Sequence, residues 1–145
     1  MTDSGTPDKP AHRHVSWPEG LDESVFLRDY WQQKPLLLRD AFPGFETPLT
    51  ADELAGLSVE TDTTARLITC DDDDIYQLEN GPFPEERFAQ LTDNRWSLLV
   101  TDVEKLLPEL RAWMEPFSFL PQWRVDDLMI SYAPDGASVG AHVDE

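Results

Sequence analysis

Hydrophobic residues fall along this chain in short blocks whose spacing changes repeatedly, and each change predicts an element. Between positions 22 and 33, Val25, Phe26, Tyr30 and Trp31 share one helical face while Glu23, Arg28 and Asp29 lie off it, which predicts an amphipathic helix. Lys34-Pro35 ends that helix, because proline lacks an N–H and restricts the residue before it. Leu36-Leu37-Leu38 then predicts a short buried strand with Arg39 at its exit. Thr50-Ala51-Asp52-Glu53 is a capping box, in which the Thr50 hydroxyl accepts from the third N–H and Glu53 reaches back. It predicts a short helix through Leu54 and Leu57. Positions 65–70 and 75–78 predict two strands flanking four consecutive aspartates, 71–74, whose mutual repulsion favours a solvated loop tip. The alternating spacing, glycine and distal glutamate of an EF-hand calcium loop are absent there.

Further along, positions 84–91 predict a short helix and 96–100 a strand. Val103, Leu106, Leu107, Leu110 and Met114 then recur at helical spacing, as core packing requires. Pro108 makes this segment two abutting helices or one kinked helix. Positions 127–133 alternate as a strand, with Leu128, Ile130 and Tyr132 on one face and Met129 and Ser131 on the other. Pro134-Asp135-Gly136 is a turn, and a second strand is expected from Val139 through His142-Val143-Asp144. Positions 1–16, poor in apolar residues, read as a mobile arm before a single domain at 17–145.

Charge narrows the function classes. Of 145 residues, 29 are acidic and 11 basic, a formal net charge of −18. Such a surface repels a phosphate backbone and argues against direct nucleic-acid binding. It suits a basic protein partner, and equally a surface adapted for solubility. The single cysteine excludes an intrachain disulfide and a multi-cysteine zinc site. No apolar run is long enough to span a bilayer and no secretory leader is recognisable, so the expectation is a soluble cytoplasmic protein with no membrane association.

The chemistry concentrates at His142-x-Asp144. Side chains at i and i+2 of a strand share a face with α-carbons ~6.5 Å apart, so an imidazole and a carboxylate can close on one divalent ion. A distant second histidine would complete a 2-His-1-carboxylate triad, which leaves positions on iron open for a co-substrate and oxygen. With three histidines in the chain, chance supplies His-x-Asp in roughly one such sequence in three, so the motif is weak by itself. His12-x-His14 is a similar chelating pair, but it falls in the arm and reads as a surface tract.

Wider matches carry more weight. Phe26-Leu27 with Tyr30-Trp31, then Lys34-Pro35-Leu36-Leu37 and Arg39, resemble the opening of the JmjC-type ribosomal oxygenases, in particular the bacterial arginine hydroxylases acting on a ribosomal large-subunit protein. Asp52-Glu53-Leu54-Ala55-Gly56-Leu57, Gly81-Pro82-Phe83 and Trp96-Ser97-Leu98-Leu99-Val100 follow in family order. Pro121, the run from Trp123 to Ser131, Val139-Gly140 and His142-x-Asp144 complete the resemblance, which covers about nine-tenths of the chain. Ala137-Ser138 stand where the family has a glycine-rich turn, and Ala141 where proline is common.

The resemblance implies an α+β fold that opens a cupin-like double-stranded β-helix, or jelly-roll, with the barrel incomplete at Glu145. It implies an Fe(II)- and 2-oxoglutarate-dependent dioxygenase that uses O2 to hydroxylate an arginine on a basic ribosomal protein. His142 and Asp144 would be metal ligands. The third ligand, the basic residue pairing the distal carboxylate of 2-oxoglutarate and a dimerising C-terminal region would lie beyond Glu145, so the 145 residues alone are expected to be inactive. Met129 and Ser131 would line the pocket or pack in the core, and Asp126 or Asp127 would receive a cationic substrate or pair with Arg124. A related oxygenase with another protein substrate, and a non-enzymatic acidic binding module, remain alternative readings.

Overall fold

The computed structural model describes residues 14–142, in two compact units: 14–46 with 110–126, and 47–109 with 127–142.

In the first unit, Asp22 caps helix α1 (Glu23–Asp29) by accepting from the Val25 N–H at 2.8 Å. The helix stops earlier than position 33. Gln32 takes a left-handed φ of 59°, and the Gln33 and Lys34 N–H groups both turn back to the Tyr30 carbonyl. The expected strand at Leu36-Leu37-Leu38 does not form: the segment is extended but has no ladder partner, and Leu37 is 73% exposed. Leu36 and Leu38 turn partly inward. Three rings cluster here, with Trp17, Phe26 and Phe119 centroids 5.8 to 6.1 Å apart. Residues 110–126 run mostly as 3₁₀ turns, among them Glu115–Phe117 and Gln122–Arg124, which tie in through Phe42–Phe117 and Phe45–Trp113 edge contacts.

The second unit is an antiparallel sheet with helices on one face. Helix α2 (Ala51–Ser58) begins with the expected capping box, Glu53 N–H donating to the Thr50 hydroxyl and Thr50 N–H to the Glu53 carboxylate. Strands β1 (Thr64–Cys70), β2 (Tyr76–Asn80), β3 (Trp96–Thr101) and β4 (Ile130–Tyr132) lie in the order β2-β1-β3-β4. Among the described residues this sheet does not close into a barrel. The 84–91 segment is a 3₁₀ helix (Glu85–Gln90) instead of an α-helix. Pro108 divides the 103–114 segment into helix α3 (Val103–Leu106) and a 3₁₀ helix (Pro108–Trp113), as proline demands.

Alternation decides which face is core. Ala65 and Leu67 of β1 and Leu98 and Val100 of β3 are at most 3% exposed and share a face with Leu54 of α2, Phe83 and Val103 in the core. Strand β3 is central and buried on both faces.

Two expectations about the C-terminal segment are corrected. Strand β4 holds three residues instead of seven, because the backbone of Leu128 is engaged by α3. The Leu128 N–H donates to the Glu104 carboxylate at 3.0 Å, and the Leu128 carbonyl accepts from Val103 N–H. No strand forms over described residues 139–142. Gly140 has a φ of 76°, and its N–H donates locally to the Ser138 hydroxyl. Asp144 lies outside the described residues, as do 1–13, His12 among them.

Candidate functional site

The sheet face turned away from α2 carries Met129 and Ser131. Register places Asn80 opposite Arg66, Arg66 opposite Leu99, and Leu99 opposite Ser131, so the four form one rung on this face. The next rung is Leu78, Ile68 and Ser97, and the one after it carries Tyr76 and Cys70. Met129 precedes β4 with the same parity as Ser131, and its sulfur lies 4.0 Å from the Arg66 guanidinium. Met129 and Ser131 thus share a face, as the alternation predicts. That face is open: Leu78 is 58% and Met129 47% exposed. Beneath it, the Ser97 hydroxyl is buried without a hydrogen-bond partner.

The turn after β4 brings Gly140 back against this face. A Cβ built on Gly140 would sit 3.4 Å from the Tyr76 ring, so the ring packs against bare glycine backbone. The His142 Nδ1 lies 3.0 Å from the Gly140 carbonyl oxygen. A carbonyl only accepts, so this bond places the proton on Nδ1 and the ring's basic lone pair on Nε2, the form in which imidazole ligates a metal. His142 therefore suits one ligand position. Among the described residues no group of three His, Cys, Asp or Glu side chains is placed to hold a metal.

Of the remaining candidates, Asp127 has a structural partner and Asp126 faces solvent. One Asp127 oxygen accepts from the Asp102 N–H at 2.8 Å and holds the start of α3. Arg124 stacks 4.4 Å over the Trp123 ring and joins no ion pair among the described residues, so the expected Arg124 pairing with an aspartate is absent there.

The aspartate run forms the β1–β2 loop tip. Asp71 accepts from the Asp73 and Ile75 N–H groups, and Arg95 pairs with Asp74 at 2.8 Å while lying 3.4 Å from the Cys70 sulfur. The bond to Asp74 holds the Arg95 guanidinium above its ordinary pKa. Beside β2, Arg87 grips Glu79, and this hydrogen bond keeps the Glu79 carboxyl below the usual carboxylate range against partial burial. Sequence reasoning missed Arg66 and Ser97 as residues sharing the face of Met129 and Ser131, and Tyr76 farther along it. The signal was their parity along β1, β2 and β3, which has meaning only once register is known.

No family model matches the chain. It is 41% identical over 128 residues to a probable ribosomal oxygenase of Haemophilus influenzae, covering 88% of this chain and 31% of that protein. It is 40% identical over 131 residues to the ribosomal protein uL16 3-hydroxylase of Escherichia coli, covering 90% of this chain and 33% of that protein. The chain thus spans about a third of the length of these relatives. A solved structure of YcfD, a ribosomal oxygenase from Escherichia coli, matches with a TM-score of 0.80 at 39% identity, over 90% of this chain and 34% of that one. A second structure of that protein, in complex with cobalt and 2-oxoglutarate, matches with the same TM-score and identity.

Proposed function

From a chain that is a homologue of the ribosomal oxygenases over at least 88% of its own length, we propose part of an Fe(II)- and 2-oxoglutarate-dependent oxygenase of the JmjC type. The whole protein hydroxylates an arginine side chain of a basic ribosomal protein in the cytoplasm and dimerises through a region outside these 145 residues. The observation that carries this reading is the likeness, at a TM-score of 0.80 and 39% identity, to a protein that binds cobalt and 2-oxoglutarate. Cobalt there stands in for a divalent iron of similar ligand preference.

His142 and Asp144 would hold the iron, a nitrogen and an oxygen donor suited to it. When bound, iron with 2-oxoglutarate and O2 supplies the oxidising chemistry that inserts one oxygen atom into a C–H bond. This chain orients and selects. The Gly140 carbonyl keeps the proton on His142 Nδ1 and so fixes the tautomer. Met129 and Ser131 line the pocket from the open sheet face. Asp126, or the Asp127 oxygen not committed to Asp102, would receive the cationic substrate through a charge-assisted hydrogen bond, and the acidic surface would draw it in.

The test is mass spectrometry of ribosomal-protein peptides incubated with the full-length protein, Fe(II), 2-oxoglutarate and O2. The parent should add one oxygen at arginine, and His142→Ala and Asp144→Ala should each abolish that product. Retained turnover in both variants would move the site elsewhere. The 145 residues alone should not couple 2-oxoglutarate consumption to hydroxylation, since the third ligand lies elsewhere; tight stoichiometric iron and coupled turnover would refute that assignment.

A further inference from the structure

Strand β2 is an edge: in the order β2-β1-β3-β4 it is paired on one side, by β1. The ladder shows which of its backbone groups are left over. The Gly81 N–H donates to the Ala65 carbonyl at 2.8 Å, and the Asp71 N–H to the Ile75 carbonyl at 3.1 Å. Odd-numbered residues of this segment therefore turn their backbone groups toward β1. The N–H and carbonyl groups of Tyr76, Leu78 and Asn80 point the other way, and no backbone bond among the described residues takes them up.

Edge strands are commonly guarded by proline, lysine or a bulge. Strand β2 has none of these. It reads Tyr-Gln-Leu-Glu-Asn, its register with β1 runs without a bulge, and its one charged side chain, Glu79, is already held by Arg87. Ile75, Tyr76 and Leu78 lie exposed along it. An unguarded edge with free main-chain groups and exposed apolar side chains is a template for one more strand.

Charge selects the occupant. Asp72 and Asp73 precede the edge and Glu85 and Glu86 follow it, all four exposed and in no ion pair among the described residues. A second copy of this chain is disfavoured. Antiparallel pairing two-fold about Leu78 would bring each copy's aspartate run toward the other's Glu85 and Glu86. A basic segment instead meets carboxylates at both ends. We infer that β2 docks an extended basic polypeptide by strand addition. Its main chain bonds to Tyr76, Leu78 and Asn80, an apolar side chain lies beside Leu78, and lysine or arginine reaches the acidic ends. This docking edge involves neither His142 nor Asp144 and does not depend on the oxygenase reading.

The test titrates full-length protein into the peptide fluorescein-Lys-Arg-Val-Thr-Val-Lys-Arg-amide and follows fluorescence anisotropy. Saturable binding that weakens with added salt is expected, with slowed hydrogen exchange at the Tyr76, Leu78 and Asn80 amides. A counterpart with glutamate at every basic position should not bind. The basic peptide N-methylated at its three central amides keeps its charge but cannot pair, and should bind about tenfold more weakly or worse. Leu78→Pro removes an outward N–H without breaking a bond to β1 and should cost as much. Leu78→Lys sets a like charge beside the peptide and carries the test if the proline variant does not fold. Asp72→Asn with Asp73→Asn should weaken binding roughly threefold at low salt. Equal binding by the N-methylated peptide would reduce the interaction to charge alone and overturn the proposal. So would unchanged exchange at the three amides, or equal binding by the acidic peptide. Self-association that Leu78→Pro abolishes would give the edge to a second copy of the chain and overturn it as well.

Discussion

Glu104 offers a sharp test of how the open face is held. Its carboxylate is 7% exposed, has no cation partner among the described residues, and accepts the Leu128 N–H at 3.0 Å. With the Val103 N–H to Leu128 carbonyl bond and the Asp102 N–H to Asp127 bond, it forms a clamp that sets where β4 begins. Glu104→Ala removes a hydrogen bond to a charged acceptor and leaves a half-buried amide unsatisfied. These overlapping costs come to about 2–4 kcal/mol. Glu104→Gln keeps a carbonyl acceptor and relieves the cost of burying charge, so its loss should be about 1 kcal/mol or less. Urea unfolding with linear extrapolation measures both, and hydrogen exchange at the Leu128 amide localises the effect. Glu104→Ala within about 0.5 kcal/mol of the parent, with the Leu128 amide still protected, would refute the clamp. So would a glutamine variant as damaged as the alanine one.

Leu67 is fully buried, so Leu67→Ala should cost about 2–5 kcal/mol in the same unfolding experiment, and a smaller loss would misplace the core. Arg87 depresses the Glu79 pKa in the folded state, so the pair contributes stability above the unfolded carboxyl value of about 4.3 and loses it as pH falls through the lower folded value. Glu79→Gln should therefore flatten the acid limb of stability against pH, and an unaltered limb would count against the pair. Gly140→Ala forces an L-residue to a φ of 76° against the Tyr76 ring and should cost about 1 kcal/mol or more, with displaced Tyr76 ring resonances. A melting temperature equal to the parent's would show the turn to be unconstrained.

What the sequence determined by itself is what depends on near neighbours. The α2 capping box was legible because both its bonds span three residues, and Pro108 breaks the helical segment through its own ring. Strands β1 and β3 were legible from apolar content and parity. Tertiary structure decided wherever a backbone group had a choice of distant partner. Leu36-Leu37-Leu38 has strand composition but no neighbouring strand, and a strand without a ladder does not persist. The segment before β4 alternates as well as a strand should, yet its amide goes to Glu104, 24 positions away. Arg66 reads in sequence as a polar position of an amphipathic strand. Only the β1–β3–β4 register brings it beside Met129, 63 residues on, and leaves its charge on the open face without a carboxylate among the described residues. Parity along a strand is local, but which strands pair, and in what register, is set by burial of the whole core.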